Sequence, residues 1–296
     1  MCKNKVQFQA GYSLIKLFKN YGTESQCIEA LSKWRCPTGF RCPHCGSGRH
    51  NAVKTRNLYQ CADCHHQTSL IGGTIFEQTK PPLTTWSLAT HLVTQAKTGL
   101  PALALKRRIG VPYNTAWGMK HKIMPVMKGR DGGKPLTGTI QLDDVYWGGE
   151  RRGGKRSRGS ADKVPFVAAV SLNEAGHPMA TDMNVDKGFR PTEISRWAKR
   201  HAHPGSTVIS DGLQAHQHCH RRRAAKCYQG RVYLGQHPDR QRDCAITGTC
   251  HAISPKHLPR YLAEFCYRHN RRFRLEELLP RFAYVAVRAP PCQADF

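Results

Sequence analysis

The chain carries two Cys-x-x-Cys pairs, Cys42 with Cys45 and Cys61 with Cys64, separated by fifteen residues. Two residues between cysteines let both thiolates of a pair meet one ion about 2.3 Å away, and two such knuckles close a tetrahedron. That spacing dictates a small ribbon held by Zn2+, because so short a segment cannot build a core of its own. With no fifth ligand beside the four, the ion is expected to be structural. Cys36, His44, His65 and His66 lie close enough in sequence to compete as ligands and rank second. The thirteen cysteines are odd in number and scattered, which argues against a secreted disulfide framework and for a reducing compartment.

Charge narrows the partner. Across 296 residues, 46 Lys and Arg face 20 Asp and Glu, a formal net charge of +26. Such an excess repels itself unless a polyanion neutralises it, and nucleic acid is the commonest one. The 39% hydrophobic content suffices for a sizeable core, and the length suits about two domains. No apolar run approaches the roughly 18 residues of a membrane span. The Met1 end is polar and lysine-bearing, without an apolar signal core, so the chain is read as cytoplasmic and without a membrane partner.

Periodicity and punctuation divide the sequence. A helical pattern from a Thr23 cap to Trp34 leads into the knuckles. Apolar residues recur at helical spacing from Pro82 to Ala96, and Thr98-Gly99 breaks the pattern. A second helix is expected from Pro101 to Ile109. The tight connection Gly110-Val-Pro then leads to a third helix, from an Asn114 or Thr115 cap to Ile123, which is helix-turn-helix spacing. Lys128 to Pro135 reads as a linker. Beyond it, Thr137 to Trp147, Val164 to Leu172 and Pro178 to Val185 read as a three-strand meander. A helix capped by Thr192 runs to Ala202, Thr207 to Asp211 is a short strand, and Pro255 to Phe282 is a helical tail.

Carboxylates are scarce, so Asp143, in a strand, and Asp211, at a strand's end, stand out. If the first and fourth strands are neighbours, as in ribonuclease-H-type sheets, the two side chains converge on one sheet edge. There they would share Mg2+ or Mn2+, whose chemistry is in-line phosphodiester displacement. The plainer alternative is a turn aspartate before Gly212 and an exposed pair at Asp143 and Asp144. Glu264, off the apolar stripe of its helix and spaced to pair with Arg268 and Arg271, is a weaker third ligand. The basic clusters Arg151 to Lys163 and Arg268 to Arg274 suit phosphate contact.

Nine segments taken in order carry a family resemblance. They are Gly39-Phe-Arg-Cys-Pro-His-Cys45, Thr79-Lys-Pro-Pro-Leu83, Lys97-Thr-Gly99, Asn114-Thr-Ala-Trp117, Asp143-Asp-Val-Tyr-Trp-Gly-Gly149, Lys163, Asp211-Gly212, Gly248-Thr-Cys-His-Ala-Ile-Ser254 and Tyr261-Leu-Ala-Glu-Phe-Cys-Tyr-Arg-His-Asn-Arg-Arg272. Together they resemble the zinc-ribbon DDE transposases of bacterial insertion sequences, the 1595-type group. The resemblance implies an N-terminal helical lead-in (1–35), a zinc ribbon (36–78) and a helix-turn-helix region that grips element ends (79–130). A ribonuclease-H-like catalytic domain (136–288) follows, an α/β fold with a mixed sheet and flanking helices. It implies Asp143 and Asp211 as catalytic carboxylates, with Asp144 where the family commonly has Glu. Double-stranded DNA, both element ends and target, is the implied partner. A homo-oligomer on DNA and a nucleoid-associated location go with it.

The pattern lapses from about His216 to Asp243 and resumes at Ala245. Relatives resemble Val-Asn-Thr-Leu-Ile-Gly-Asn-Val-Lys there and supply the third catalytic position, which falls on Gln236, with Asp243 at the Lys. The run Gly235 to Arg242 can be encoded as GGT CAA CAC CCT GAT CGG CAA CGT G, which one base later reads Val-Asn-Thr-Leu-Ile-Gly-Asn-Val. Two compensating frameshifts, near 216 and 243, account for the lapse, and residues 216–243 are then expected to be scrambled or disordered. The alternative function is a catalytically inactive DNA-binding remnant or a repurposed transposase.

Overall fold

A computed structural model describes residues 9–53, 56–131, 134–148, 163–210, the strand 225–229, and 253–291. The chain forms two compact units. The first comprises residues up to Ala96, Leu100–Arg130 and the chain from Phe273 on; the second comprises Lys97–Gly99 and Asp131–Arg272.

In the first unit, α1 (Leu14–Tyr21) and α2 (Glu24–Arg35) precede a three-stranded antiparallel ribbon sheet. Its strands are β1 (His50–Val53), β2 (Leu58–Cys61) and β3 (Gln67–Ser69). Thr23 opens α2 through a capping box with Gln26, as the Thr23 cap implied. The next helix, α3 (Leu83–Gln95), starts after Pro82, which offers no side-chain cap. Glu24 of α2 takes that role: its carboxylate accepts from the backbone N–H of Leu83 (3.1 Å) and of Thr84 (3.3 Å). A negative group at a helix start also opposes the helix dipole favourably.

Helix α4 (Ala102–Ile109) ends at Gly110, whose φ of +71° lets its N–H return to the Lys106 carbonyl. Glycine reaches this left-handed conformation without steric cost. Helix α5 starts at Tyr113, one residue before the expected caps, and runs to Asp131 through Pro125. The expected linker from Lys128 is therefore helical as far as Asp131. The Arg271 guanidinium holds Asp131 in a two-pronged pair, one N–H reaching the carboxylate at 2.9 Å. Such a fork offsets the roughly 1 kcal/mol that Gly129 costs a helix interior.

The second unit is a five-stranded mixed sheet ordered β6-β5-β4-β7-β8. Strands β4 (Thr139–Trp147), β5 (Val164–Leu172) and β6 (Pro178–Val185) form the expected antiparallel meander. Strands β7 (Ser206–Ser210) and β8 (Ala225–Gln229) run parallel to β4. Helix α6 (Pro191–His201) covers one face, with Ile194, Trp197 and Ala198 packed on Ile140, Leu142, Val167, Ala169 and Val208. Helix α7 (Leu258–Asn270) covers the other, with Leu258, Leu262, Phe265 and Cys266 on Phe166, Ala168 and Met183. Buried on both faces, β5 reads as a continuous apolar run rather than an alternation. Helix α6 is capped from Arg190, not Thr192, because Pro191 is preorganised for a first helical position.

Two other expectations change. Residues 225–229 form β8 within the stretch expected to be scrambled; the rest of 216–243 lies outside the described residues. The helical tail read as part of a domain ending at 288 divides after Arg272, and α8 (Leu278–Ala286) belongs to the first unit beside α2 and α3. The motif-bearing sequence had disguised this division, because the apolar stripes of α7 and α8 follow one another almost without interruption.

His269 of α7 is stacked on Phe265, its ring centroid 5.8 Å away. Burial, then the neighbouring Arg272 charge, pushes its pKa down to about 4. A free imidazole titrates near 6.5, so below that pH the unfolded chain binds a proton that the folded chain refuses. Stability is thus full above about pH 6.5 and falls by roughly 3 kcal/mol as the pH approaches 4. Urea midpoints at about pH 7.5 and 4.5 should differ more for the wild type than for His269→Gln; equal losses would contradict this.

Candidate functional site

The ribbon brings its four cysteines together. The Sγ atoms of Cys42, Cys45, Cys61 and Cys64 all lie within 4.8 Å of one another, the only such group of metal-binding side chains among the described residues. Cys42 and Cys64 are 3.6 Å apart and Cys45 and Cys61 3.5 Å. Four sulfurs at 2.3 Å from a central ion stand about 3.8 Å apart, so the cluster fits zinc with little adjustment. Each knuckle also aims amides at its first cysteine. Backbone N–H groups of Cys64 and Asp63 help hold the Cys61 thiol at about 6. Burial pushes Cys42 up, but the Cys45 and His44 amides outweigh it and lower the thiol. Zinc binds thiolates, so amides that favour the charged form prepare the site.

The second-ranked ligands stay outside the cluster. His44 and His66 stack on each other at 5.8 Å, and Cys36 caps the end of α2. Phe40, Cys42 and Cys61 form a small buried core with Tyr59 beside it. The Tyr59 hydroxyl is 2.8 Å from Ser32 Oγ, and Arg35 donates to the Leu70 carbonyl, so α2 is tied to both ends of the ribbon.

On the sheet, the pleat separates the two adjacent aspartates. Ile140 and Leu142 face α6, so Asp144 falls on that side and Tyr146 packs on Phe189 there. Asp143 falls on the opposite side with Val145 and Trp147, which pack against the α7 core. Asp143 is half-buried on the central strand. Strand β4 pairs in parallel with β7 from Thr139 opposite Thr207 to Leu142 opposite Ser210. Asp143 follows the last of these pairs on one strand; Asp211 follows Ser210 in sequence and lies outside the described residues, as do Gln236 and Asp243.

Glu264 lies off the side of α7 that meets the sheet. Residues facing the sheet from α7 are Leu258, Leu262, Phe265 and Cys266. At about 100° per residue, Glu264 lies on the reverse of the helix. There its carboxylate is 3.7 Å from Arg268, which donates to the Lys97 carbonyl. In the cluster Arg268 to Arg274, Arg274 is exposed, 3.9 Å from Glu277, but the other three arginines are engaged within the fold. Arg268 and Arg271 are buried, Arg271 against Asp131 and the Tyr267 ring, and Arg272 donates to the Pro178 and Met179 carbonyls. Sequence spacing could not tell cross-linking arginines from solvated ones. Of the cluster Arg151 to Lys163, only Lys163 is among the described residues.

Comparison with known proteins agrees with both site-bearing elements. Residues 22–67 match the transposase zinc-ribbon domain of the IS1595 group, and residues 135–233 match the ISXO2-like transposase domain of the same group. The chain carries the two domains of an IS1595-family insertion-sequence transposase. The transposase-domain match reaches 233, past the point where the sequence pattern lapsed and through β8. A protein of Halobacterium salinarum, described as an uncharacterized protein in transposable element ISH50, is 27% identical over 217 residues. The alignment covers 67% of this transposase and 70% of that relative. No solved structure matches the chain. No helix among the described residues is long and apolar enough to cross a membrane.

Replacing Cys61 or Cys64 with Ser should lower bound zinc from about one ion per chain to near zero and unfold the ribbon. Metal analysis and near-ultraviolet circular dichroism read the two effects. His44→Ala and His66→Ala should leave the zinc content unchanged.

Proposed function

We propose that this transposase cuts and joins DNA at the ends of its element by a divalent-metal-dependent phosphodiester displacement, with Asp143 and Asp211 as the catalytic carboxylates. The observation carrying the reading is the parallel β4–β7 ladder: its last pair is Leu142 with Ser210, and an aspartate is the next residue of each chain segment. Three antiparallel strands continued by two parallel ones, with a helix on each face, support a ribonuclease-H-like domain. Asp143 and Asp211 would hold Mg2+ or Mn2+ through hard carboxylate oxygens. When bound, such an ion polarises the phosphate and makes an attacking hydroxyl more acidic. Val145 and Trp147 line the Asp143 side with apolar surface, which strengthens local charge interactions.

The remaining assignments follow from the same reading. Helices α4 and α5, joined by the Gly110 turn, serve as a helix-turn-helix on duplex DNA. The ribbon holds structural zinc. The protein acts as a homo-oligomer on DNA at the nucleoid. This copy transfers strands weakly, because Gln236 and Asp243 stand where relatives carry the third catalytic residue and a lysine.

End cleavage in Mg2+ tests the proposal. Asp143→Ala and Asp211→Ala should each reduce it on the order of a thousandfold while leaving duplex binding within about twofold. Asp144→Ala should cost less than about tenfold. A chain with 216–243 translated in the restored frame should exceed this copy at least about tenfold in strand transfer. Full activity in Asp143→Ala would overturn the assignment.

A further inference from the structure

The solvent face of α6 carries charge that the catalytic reading does not use. Arg196, Lys199 and Arg200 stand at i, i+3 and i+4, opposite the buried Ile194, Trp197 and Ala198, and all three are exposed. Exposed Lys187 and Arg190 precede them and exposed His203 follows. None of the six forms an ion pair among the described residues.

The nearby carboxylates are already engaged. Asp182 pairs with His201 at 2.5 Å. Asp186 accepts from the Lys187 backbone N–H at 2.8 Å, and Glu193 accepts from the Arg190 backbone N–H at 3.1 Å. An ordinary solvated helix intersperses both signs of charge. On this one Glu193 is half-buried with its carboxylate on the Arg190 N–H, and the exposed charged residues Arg196, Lys199 and Arg200 are all of one sign.

We infer that the Arg196, Lys199 and Arg200 face of α6 binds the phosphate backbone of a DNA duplex other than the one engaged at Asp143. From Arg190 to Arg200 the helix rises roughly 15 Å, about the axial rise of four base pairs of duplex. The separation of the two duplexes follows from the sheet. Helix α6 packs on the face of Ile140, Leu142 and Val208, and Asp143 lies on the face of Val145 and Trp147. A duplex along α6 therefore lies across the sheet from Asp143. Contacts to the phosphate backbone carry no sequence information, so such binding is sequence-independent and suits target or flanking DNA. The inference rests on the transposase reading for the nature of the polyanion.

The test uses the full chain loaded with an end duplex and then offered a second, unrelated labelled duplex over a range of salt. The triple variant Arg196→Gln, Lys199→Gln, Arg200→Gln should bind the second duplex at least about tenfold more weakly, with the log-affinity against log-salt slope reduced by 2 to 3 (about 0.9 per lost contact). First-duplex affinity should stay within about twofold. A control losing equal charge elsewhere, Lys16→Gln, Lys19→Gln, Lys33→Gln, should change the slope by less than about 1. Restoring charge with Arg196→Lys and Arg200→Lys beside native Lys199 should recover binding. Equal effects in both triple variants, an unchanged slope, or selective loss of a single-stranded RNA probe instead would overturn the inference. A wild-type chain that binds no duplex at all would instead remove the transposase reading itself.

Discussion

The parallel pairing of β4 with β7 is the constraint on which the second unit turns. Antiparallel neighbours can be joined by a hairpin, but a parallel neighbour demands a crossover. Here the crossover is α6, leaving from β6 at the edge and returning the chain beside β4. That one ladder fixes which strand is central and which face α6 must cover. The pleat of β4 then decides that Asp143 and Asp144, adjacent in sequence, serve opposite sides of the sheet. An aspartate one position away would sit among the residues facing α6.

Two helices of the second unit manage an excess of positive charge in different ways. At α7 and its C-cap, Arg268 and Arg271 are drawn inward, paired with Glu264 and Asp131 and donating to backbone carbonyls. These arginines are structural cross-links, and removing one partner would strand a buried charge. In α6 the cations stay outside, and the local carboxylates are taken up by His201 and by backbone N–H groups. Composition alone joins both groups in one sum, although only the exposed group remains available to a polyanion.

Much of the architecture was legible because it depends on local signals. The Cys-x-x-Cys spacing gave the ribbon, the Thr23 box gave the start of α2, and the apolar runs of β4, β5 and β6 gave the meander. Illegible features were those set by distant partners. Nothing near Gly129 announces that Arg271 will extend α5 to Asp131. No local cue separates α7 from α8, since both are apolar helices in one continuous tail. The strand at 225–229 lacked a readable period and gains its identity from pairing with β7. The strand position of Asp143 was legible, whereas placing Glu264 required knowing which side of α7 meets the sheet.

Glu24 gives the ribbon an influence beyond its own boundaries. Helix α2 touches the ribbon through Ser32 and Arg35 and supplies, at its other end, the carboxylate that starts α3. Metal loading and the integrity of that downstream helix are then thermodynamically coupled, and coupling of this kind works in both directions. A lesion at the α3 start would loosen the grip on the ion, and metal depletion would fray a helix that bears no ligand.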